Sequence, residues 1–362
     1  MIKTAIPSSR EFLTPPLKPL KIAHVIAGAA TGGAELFYER LCLAQASNGL
    51  SVLPILRRHT ERTQRLRAGG LTPLELTFGG LADFSTRRHI RQALRAFAPR
   101  IAVAWMNRAA HFMPRPQQGD TWITAGRLGG FYDLSYYQHC SHLIGNTRGI
   151  TQWICQQGWA TERVHYLPNF VADFAQVPPT PPPYLPKGAP FLLALGRLHH
   201  NKGFDILIRA MRSIPALFLV IVGEGQERSA LENLIRRENL TDRVYLPGWI
   251  TNPEGLIRAC SVLVCPSRHE PLGNVILEGF SAERPVVATA AQGPTELISP
   301  FQNGLISPLE DAQYLAHTLT EVLENPALAQ QIAQGGRRTY EKFYTLKHVL
   351  NAWYQFATTL EA

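Results

Sequence analysis

The sequence predicts an α/β protein built from two doubly wound domains, on three observations. Short apolar stretches alternate with segments whose apolar residues recur at helical spacing, the pattern of βαβ units around a parallel sheet. A proline-rich segment at 177–186, VPPTPPPYLP with six prolines, cuts that alternation in two. Glycine-bearing turns at 28–33 and 196–203 follow the opening strand of each half, where sheets of this kind hold ligands.

In the first half, 21–27 (KIAHVIA) reads as a strand that stops at Gly28. A helix at 35–46 follows, with Phe37, Leu41 and Ala44 on one face. Residues 52–56, 101–105 and 121–124 are further strands, and 88–98 is a helix with Ile90, Leu94 and Phe97 in its apolar stripe. Proline fixes its own backbone torsion and donates no N–H, so 177–188 reads as a semi-rigid linker. Beyond it, strands at 191–195, 217–222, 244–246, 262–265 and 285–289 alternate with helices at 204–211, 227–238, 253–259 and 274–282. Residues 344–360 form an aromatic-rich helix. The expected organisation is an extension at 1–20, a first domain at 21–176, the linker at 177–188, a second domain at 189–340 and a C-terminal helix segment at 341–362. Two such domains side by side leave a cleft between them.

Composition excludes several classes. Of 362 residues, 45% are hydrophobic and 17% charged, which excludes a disordered chain. The longest apolar run, 216–222, is far shorter than the roughly 20 residues of a membrane span. Residues 1–20 hold no apolar core of a secretory signal. Cys42, Cys140, Cys155, Cys260 and Cys265 are odd in number and include no CxxC pair, which fits a cytoplasmic protein without disulfides or structural zinc. The net charge of +9 is uneven: residues 21–172 hold 17 basic and 8 acidic side chains, and 173–362 hold 16 and 18. That excess predicts an anionic partner for the first half, here the inner face of the cytoplasmic membrane. Five arginines at 57–67 and Arg87, Arg88, Arg91 and Arg95 on the next helix are the candidate contacts. No helix-turn-helix, zinc or aromatic RNA-binding motif accompanies the charge, so nucleic acid is excluded.

Three segments carry candidate chemistry. The loop 28–35 (GAATGGAE) lets the backbone approach an anion at a helix N-terminus, although its spacing is neither GxGxxG nor a P-loop. In 196–203 (GRLHHNKG), Arg197 and Lys202 flank a short turn and can reach one diphosphate, the first as a planar fork and the second as a point charge. In 266–278 (PSRHEPLGNVILE), Glu270 lies after a strand, Gly273 and Asn274 open a helix, and Glu278 sits in its second turn. A carboxylate accepts two hydroxyls at once and so suits a sugar diol.

These residues, with VGEG at 222–225, PNF at 168–170 and the Glu270-x7-Glu278 pair, resemble the retaining family 4 glycosyltransferases of GT-B fold over roughly residues 21–340. The resemblance implies two Rossmann-like domains facing a central cleft, and transfer of a hexose or hexosamine from a nucleotide diphosphate sugar to a glycan or lipid-linked acceptor in lipopolysaccharide or polysaccharide assembly. It implies that Arg197 and Lys202 neutralise the diphosphate, Glu270 holds the transferred sugar and Glu278 the ribose. Backbone N–H groups of Leu272, Gly273 and Asn274 would touch sugar or phosphate, and Gly32 and Gly33 would close over the phosphate. The base would lie near Gly223 and the turn at 247–249. The helix at 344–360 would cross back to the first domain. No DxD motif occurs, so neither metal nor cofactor is expected. One departure stands out: many members carry a first-domain His beside the reacting carbon, and Gly126-Arg127 stand there in this chain. Arg127, Tyr132 and Asp133, with His111 in the preceding loop, are therefore the acceptor-side candidates. A non-catalytic sugar-nucleotide binding module or a nucleotide-sugar epimerase of the same fold are the rival readings. The first would lack a signature acid or cation, and none is lacking; an epimerase is expected to lack the acid pair.

Overall fold

A computed structural model describes residues 20–29, 32–80, 83–215 and 217–360. The extension read at 1–20 lies outside them, Leu20 apart. The chain forms two compact units, one of residues 170–345 and one that joins 20–169 with 346–360.

The unit of the first sheet runs β1 (Lys21–Ile26), α1 (Gly33–Ser47), β2 (Ser51–Arg57), α2 (Thr60–Ala68), β3 (Leu74–Leu76), α3 (Phe84–Phe97), β4 (Ile101–Trp105), α4 (Met106–Phe112), β5 (Ile123–Leu128), a 3₁₀ turn (Leu134–Tyr137), β6 (His142–Gly145), α5 (Arg148–Gln156) and β7 (Val164–Tyr166). The other unit runs β8 (Phe191–Leu195), α6 (Phe204–Ala210), β9 (Phe218–Val222), α7 (Arg228–Arg237), β10 (Val244–Gly248), α8 (Glu254–Ala259), β11 (Val262–Cys265), α9 (Asn274–Ser281), β12 (Val286–Thr289), α10 (Gln292–Leu297), β13 (Leu305–Ser307), α11 (Ala312–Glu324) and α12 (Pro326–Phe343). α13 (Leu346–Thr359) returns to the first unit.

Both sheets are wholly parallel, in the orders β3-β2-β1-β4-β5-β6-β7 and β10-β9-β8-β11-β12-β13. The order reverses between β1 and β4 and between β8 and β11, the places where such sheets open to ligands at their carboxyl ends. Helices cover both faces, so the central strands are apolar without alternation: every residue of β4 and β11 is buried. The short strands β3, β6, β7 and β13 gave too brief a pattern to be read in the sequence.

Two placements differ from the sequence reading. The strand expected at 121–124 is β5, and it continues through Gly126 and Arg127, which pair with Ala104 and Trp105 of β4. Arg127 breaks the apolar pattern yet stays in the strand because aromatic rings receive its guanidinium. His111 belongs to α4 rather than to a loop. The proline-rich stretch at 177–188 is packed on α8: Thr180 N–H donates to Gly255 O at 2.8 Å, and Val177 and Leu185 pack against the core of that unit.

α13 docks through aromatics. Trp353 meets the His24 ring edge-on at 5.6 Å, and Phe356 lies 4.8 Å from His165. Arg100 donates to the Ala357 and Leu360 carbonyls at its C-terminal end, satisfying acceptors the helix leaves open.

Candidate functional site

The residues after β8 and after β11 are stitched into one platform. The backbone N–H groups of Arg268 and His269 both donate to Asn201 O, at 2.9 and 3.2 Å. Asn201 sits in a single 3₁₀ turn, His200–Lys202, capped by the His199 ring, which accepts from Asn201 N–H at 3.1 Å. Gly203 ends the turn at φ 63° and opens α6; a Cβ there would stand 2.0 Å from Pro266 O, so only glycine lets the two loops meet.

Arg268 locks the platform from below. It grips the Asp205 carboxylate with two hydrogen bonds of 2.7 and 2.8 Å and also binds Glu310 and His200 O. Hydrogen bonding to Asp205 holds the guanidinium well above its ordinary value. Thr289 fixes the neighbouring loop by donating to Ser267 O at 2.6 Å.

On this platform Lys202 Nζ donates to Glu270 Oε2, which also accepts from Ser267 Oγ at 3.3 Å. Glu270 Oε1 has no partner among the described residues. The Glu270 backbone is pinned by Gly293 N–H, 2.8 Å from its carbonyl. Burial pulls the Lys202 ammonium down, but attraction to Glu270 outweighs it and the value is raised; Arg197, on the exposed turn after β8, is near enough to oppose that rise. The two cations and the acid to which the sequence assigned separate tasks thus share one spot. Leu272 is buried. Gly273, at φ 92°, caps α9, which carries Asn274 and Glu278 half-buried on its first two turns.

At the adjacent strand ends, Gly223 N–H donates to Gly248 O at 2.9 Å. Arg228 binds both Glu224 oxygens and reaches Leu246 O, fixing the turn that leaves Trp249 62% exposed.

In the unit of the first sheet, Gly32 caps α1 and Gly33 begins it. The loop before them holds an acid of its own. Glu35 Oε1 accepts from Ala29 N–H at 2.8 Å, and a Cβ at Gly28 or Gly32 would stand 2.3 Å from the carboxylate. Arg62 reaches Ala29 O from the other side while it pairs with Glu39. This contact between the acid and its own loop escaped the sequence reading, which took Glu35 only as the start of a helix. Two of the five arginines at 57–67, Arg62 and Arg65, are spent on Glu39.

Arg127 is buried between the rings of Trp105 and Phe37, at 4.6 and 5.0 Å, and donates to Asn169 Oδ1 at 2.7 Å. Burial pushes its guanidinium down to about 9. Tyr132 lies within electrostatic reach of both Glu35 and Arg127; burial and then Glu35 raise its hydroxyl. Asp133 is elsewhere, exposed and capping the 3₁₀ turn through Ser135 N–H at 2.9 Å. His111 is exposed on α4, edge-on to Phe112 and Tyr136. The four acceptor-side candidates thus have different surroundings: Arg127 and Tyr132 are within electrostatic reach of each other, Asp133 caps the 3₁₀ turn, and His111 stands exposed on α4. Among the described residues no cluster of His, Cys, Asp and Glu has the make-up of a metal site.

The model of the family Glycosyl transferases group 1 matches residues 181–339. The chain is 30% identical over 342 residues to the lipopolysaccharide core biosynthesis glycosyltransferase LpsD of Rhizobium meliloti, covering 92% of this chain and 97% of that one. It is 28% identical over 350 residues to LpsE of the same organism, a protein of the same description, covering 93% and 98%. The crystal structure of Anabaena Alr3699/HepE in complex with UDP-glucose superposes with a TM-score of 0.80 at 20% identity, covering 94% of this chain and 100% of that one.

Proposed function

The chain belongs to the glycosyl transferases group 1 family and has the GT-B fold, and from that membership we propose that it is a retaining, metal-independent transferase of lipopolysaccharide core assembly. Its donor in this reading is a nucleoside diphosphate hexose or hexosamine and its acceptor a glycan or lipid-linked core intermediate. The observation that carries the reading is the placement of Lys202 and Glu270 in contact, with Arg197 beside them, at the carboxyl end of β8. An ammonium and a guanidinium there meet the charge of a departing diphosphate without a divalent ion. Glu270, with one oxygen to spare, takes hydroxyls of the sugar, and Glu278 those of the ribose. The bond between the anomeric carbon and the diphosphate oxygen breaks, the acceptor hydroxyl attacks from the same face, and its proton passes to the diphosphate. Relatives named for core biosynthesis and a neighbour crystallised with UDP-glucose support the choice of substrates.

The test is a donor screen: the protein is incubated with UDP-, ADP- and GDP-sugars, and nucleoside diphosphate release is followed with and without deacylated core acceptor. One donor should be consumed, faster with acceptor, and the product linkage should keep the donor's anomeric configuration. Consumption of no donor, or an inverted linkage, overturns the reading. For location we propose the inner face of the cytoplasmic membrane, supported by the basic excess of the first half.

A further inference from the structure

A cavity of about 470 Å³ lies wholly within the unit of the first sheet. Arg87 of α3, His111 of α4, Arg115 of the loop after it and His139 beyond the 3₁₀ turn line it, and no carboxylate does. Ser135 and Tyr136 add hydroxyls. The nearby acids are engaged elsewhere: Asp120 with Arg95 and with Gln117 N–H, and Asp133 with Ser135 N–H.

The walls are held by specific bonds. Arg87 Nη2 donates to His111 O at 2.6 Å and Arg91 Nη2 to Arg115 O at 2.7 Å, which fixes the loop on α3. Tyr137 OH donates to Asn107 Oδ1 at 3.1 Å, which ties the 3₁₀ turn to α4. The Nε of Arg87 is buried without an acceptor among the described residues. Burial, and then the charges of Arg115 and Arg87, hold His139 below its ordinary value, so both guanidinium groups lie within electrostatic reach of its ring.

We propose that this cavity binds a phosphate monoester. Two guanidinium groups, two imidazoles and two hydroxyls arranged around one space suit a doubly charged group that offers three acceptor oxygens. A carboxylate would satisfy a single guanidinium fork. The volume exceeds that of phosphate alone, so the sugar or headgroup that carries the phosphate has room at its mouth. The site lies outside the residues assigned to donor chemistry and stands whether or not the transferase reading holds.

The test is a titration of the full chain with inorganic phosphate, followed through the ring signals of His111 and His139 by nuclear magnetic resonance and assigned with His111→Gln and His139→Gln. Both rings should shift saturably, and Arg115→Gln should weaken the apparent affinity about tenfold, while Arg88→Gln, on α3 outside the cavity, leaves it unchanged. No saturation by about 50 mM phosphate, or equal weakening by Arg88→Gln, overturns the proposal, the latter because it shows general charge at work. Two further arms separate the sources. Tighter binding of glucose 6-phosphate than of phosphate supports a soluble phosphosugar. Stronger shifts with phosphatidic acid vesicles than with phosphatidylglycerol vesicles support a lipid headgroup. Donor consumption by the same wild-type sample is read separately: its failure counts against the transferase reading and leaves the phosphate result standing.

Discussion

At the scale of single residues, the contact between Lys202 and Glu270 makes distinct demands on the two partners. Lys202→Ala removes the cation proposed to meet the diphosphate, so both nucleoside diphosphate binding and turnover should fall, turnover by at least about 10²-fold. Glu270→Gln keeps the ammonium and releases it from its partner. Calorimetry should then show nucleoside diphosphate binding within a few-fold of wild type, while turnover falls as far as in Lys202→Ala. Equal binding losses in the two variants would show that the acid serves the nucleotide and not the sugar. Each residue was legible in the sequence because each sits in a motif with regular spacing. Their contact was not, since it depends on bonds between loops 68 residues apart and on the close approach that Gly203 permits. The Glu35–Ala29 contact was hidden for a related reason: nothing in GGAE tells whether the acid faces solvent or folds back on its own loop. Arg127 misled the strand boundary, because an arginine in a core strand is legible only once Trp105 and Phe37 are known to flank it.

At the scale of elements, α13 rests on uncharged histidines, and that makes its docking sensitive to acid. His24 is fully buried; its Nε2 contacts Gln45 Oε1 at 2.8 Å, and its Nδ1 accepts from the Trp105 indole at 3.1 Å, so the ring is neutral with no room for a second proton. Burial lowers its pKa to about 4. The unfolded chain binds this proton below about 6.5, so the stability His24 contributes is complete above that value and is lost as the pH falls towards 4, by at most about 3 kcal/mol. His165, lowered to about 4 by burial and by His142, acts with the same sign, and the 3.0 Å contact between the two rings needs one of them to accept. Denaturant melts at pH 7.5, 5.5 and 4.5 should show a falling midpoint, and amide exchange should rise first in α13. An unchanged midpoint together with a His24 ring titrating near 6.5 would contradict the burial argument. Arg100→Ala, which frees the carbonyls at the end of α13, should lower stability by about 1 kcal/mol at neutral pH. The aromatic-rich helix itself was legible, whereas the histidines that receive it were not.

At the scale of the whole molecule, both doubly wound sheets were legible because buried parallel strands leave short unbroken apolar runs that alternate with helical spacing; the edge strands of three residues were not, since they carry no period. The basic excess was also legible, but its disposition was not: Arg87 donates to the end of α4, and Arg91 and Arg95 to the loop that follows it. The membrane proposal accordingly expects co-sedimentation with anionic vesicles, none with neutral ones, and release by salt as screening shortens the reach of the charges. Equal partition to both vesicle types would remove it. The proposed mechanism gives Arg197 and Lys202 the work of a divalent ion, so activity should survive EDTA; a full loss restored by magnesium would contradict this.

The division of the chain also sets an order in time. Among the described residues the unit of residues 170–345 is continuous, so everything it needs has been synthesised before α13 begins. The first sheet, although synthesised earlier, stays without Trp353 and Phe356 over its histidines until the whole second unit has been synthesised. Released chains that stop before residue 346 should therefore hold a finished second unit and a first one still open to proteases and chaperones, reversing the usual rule that the earlier segment matures first.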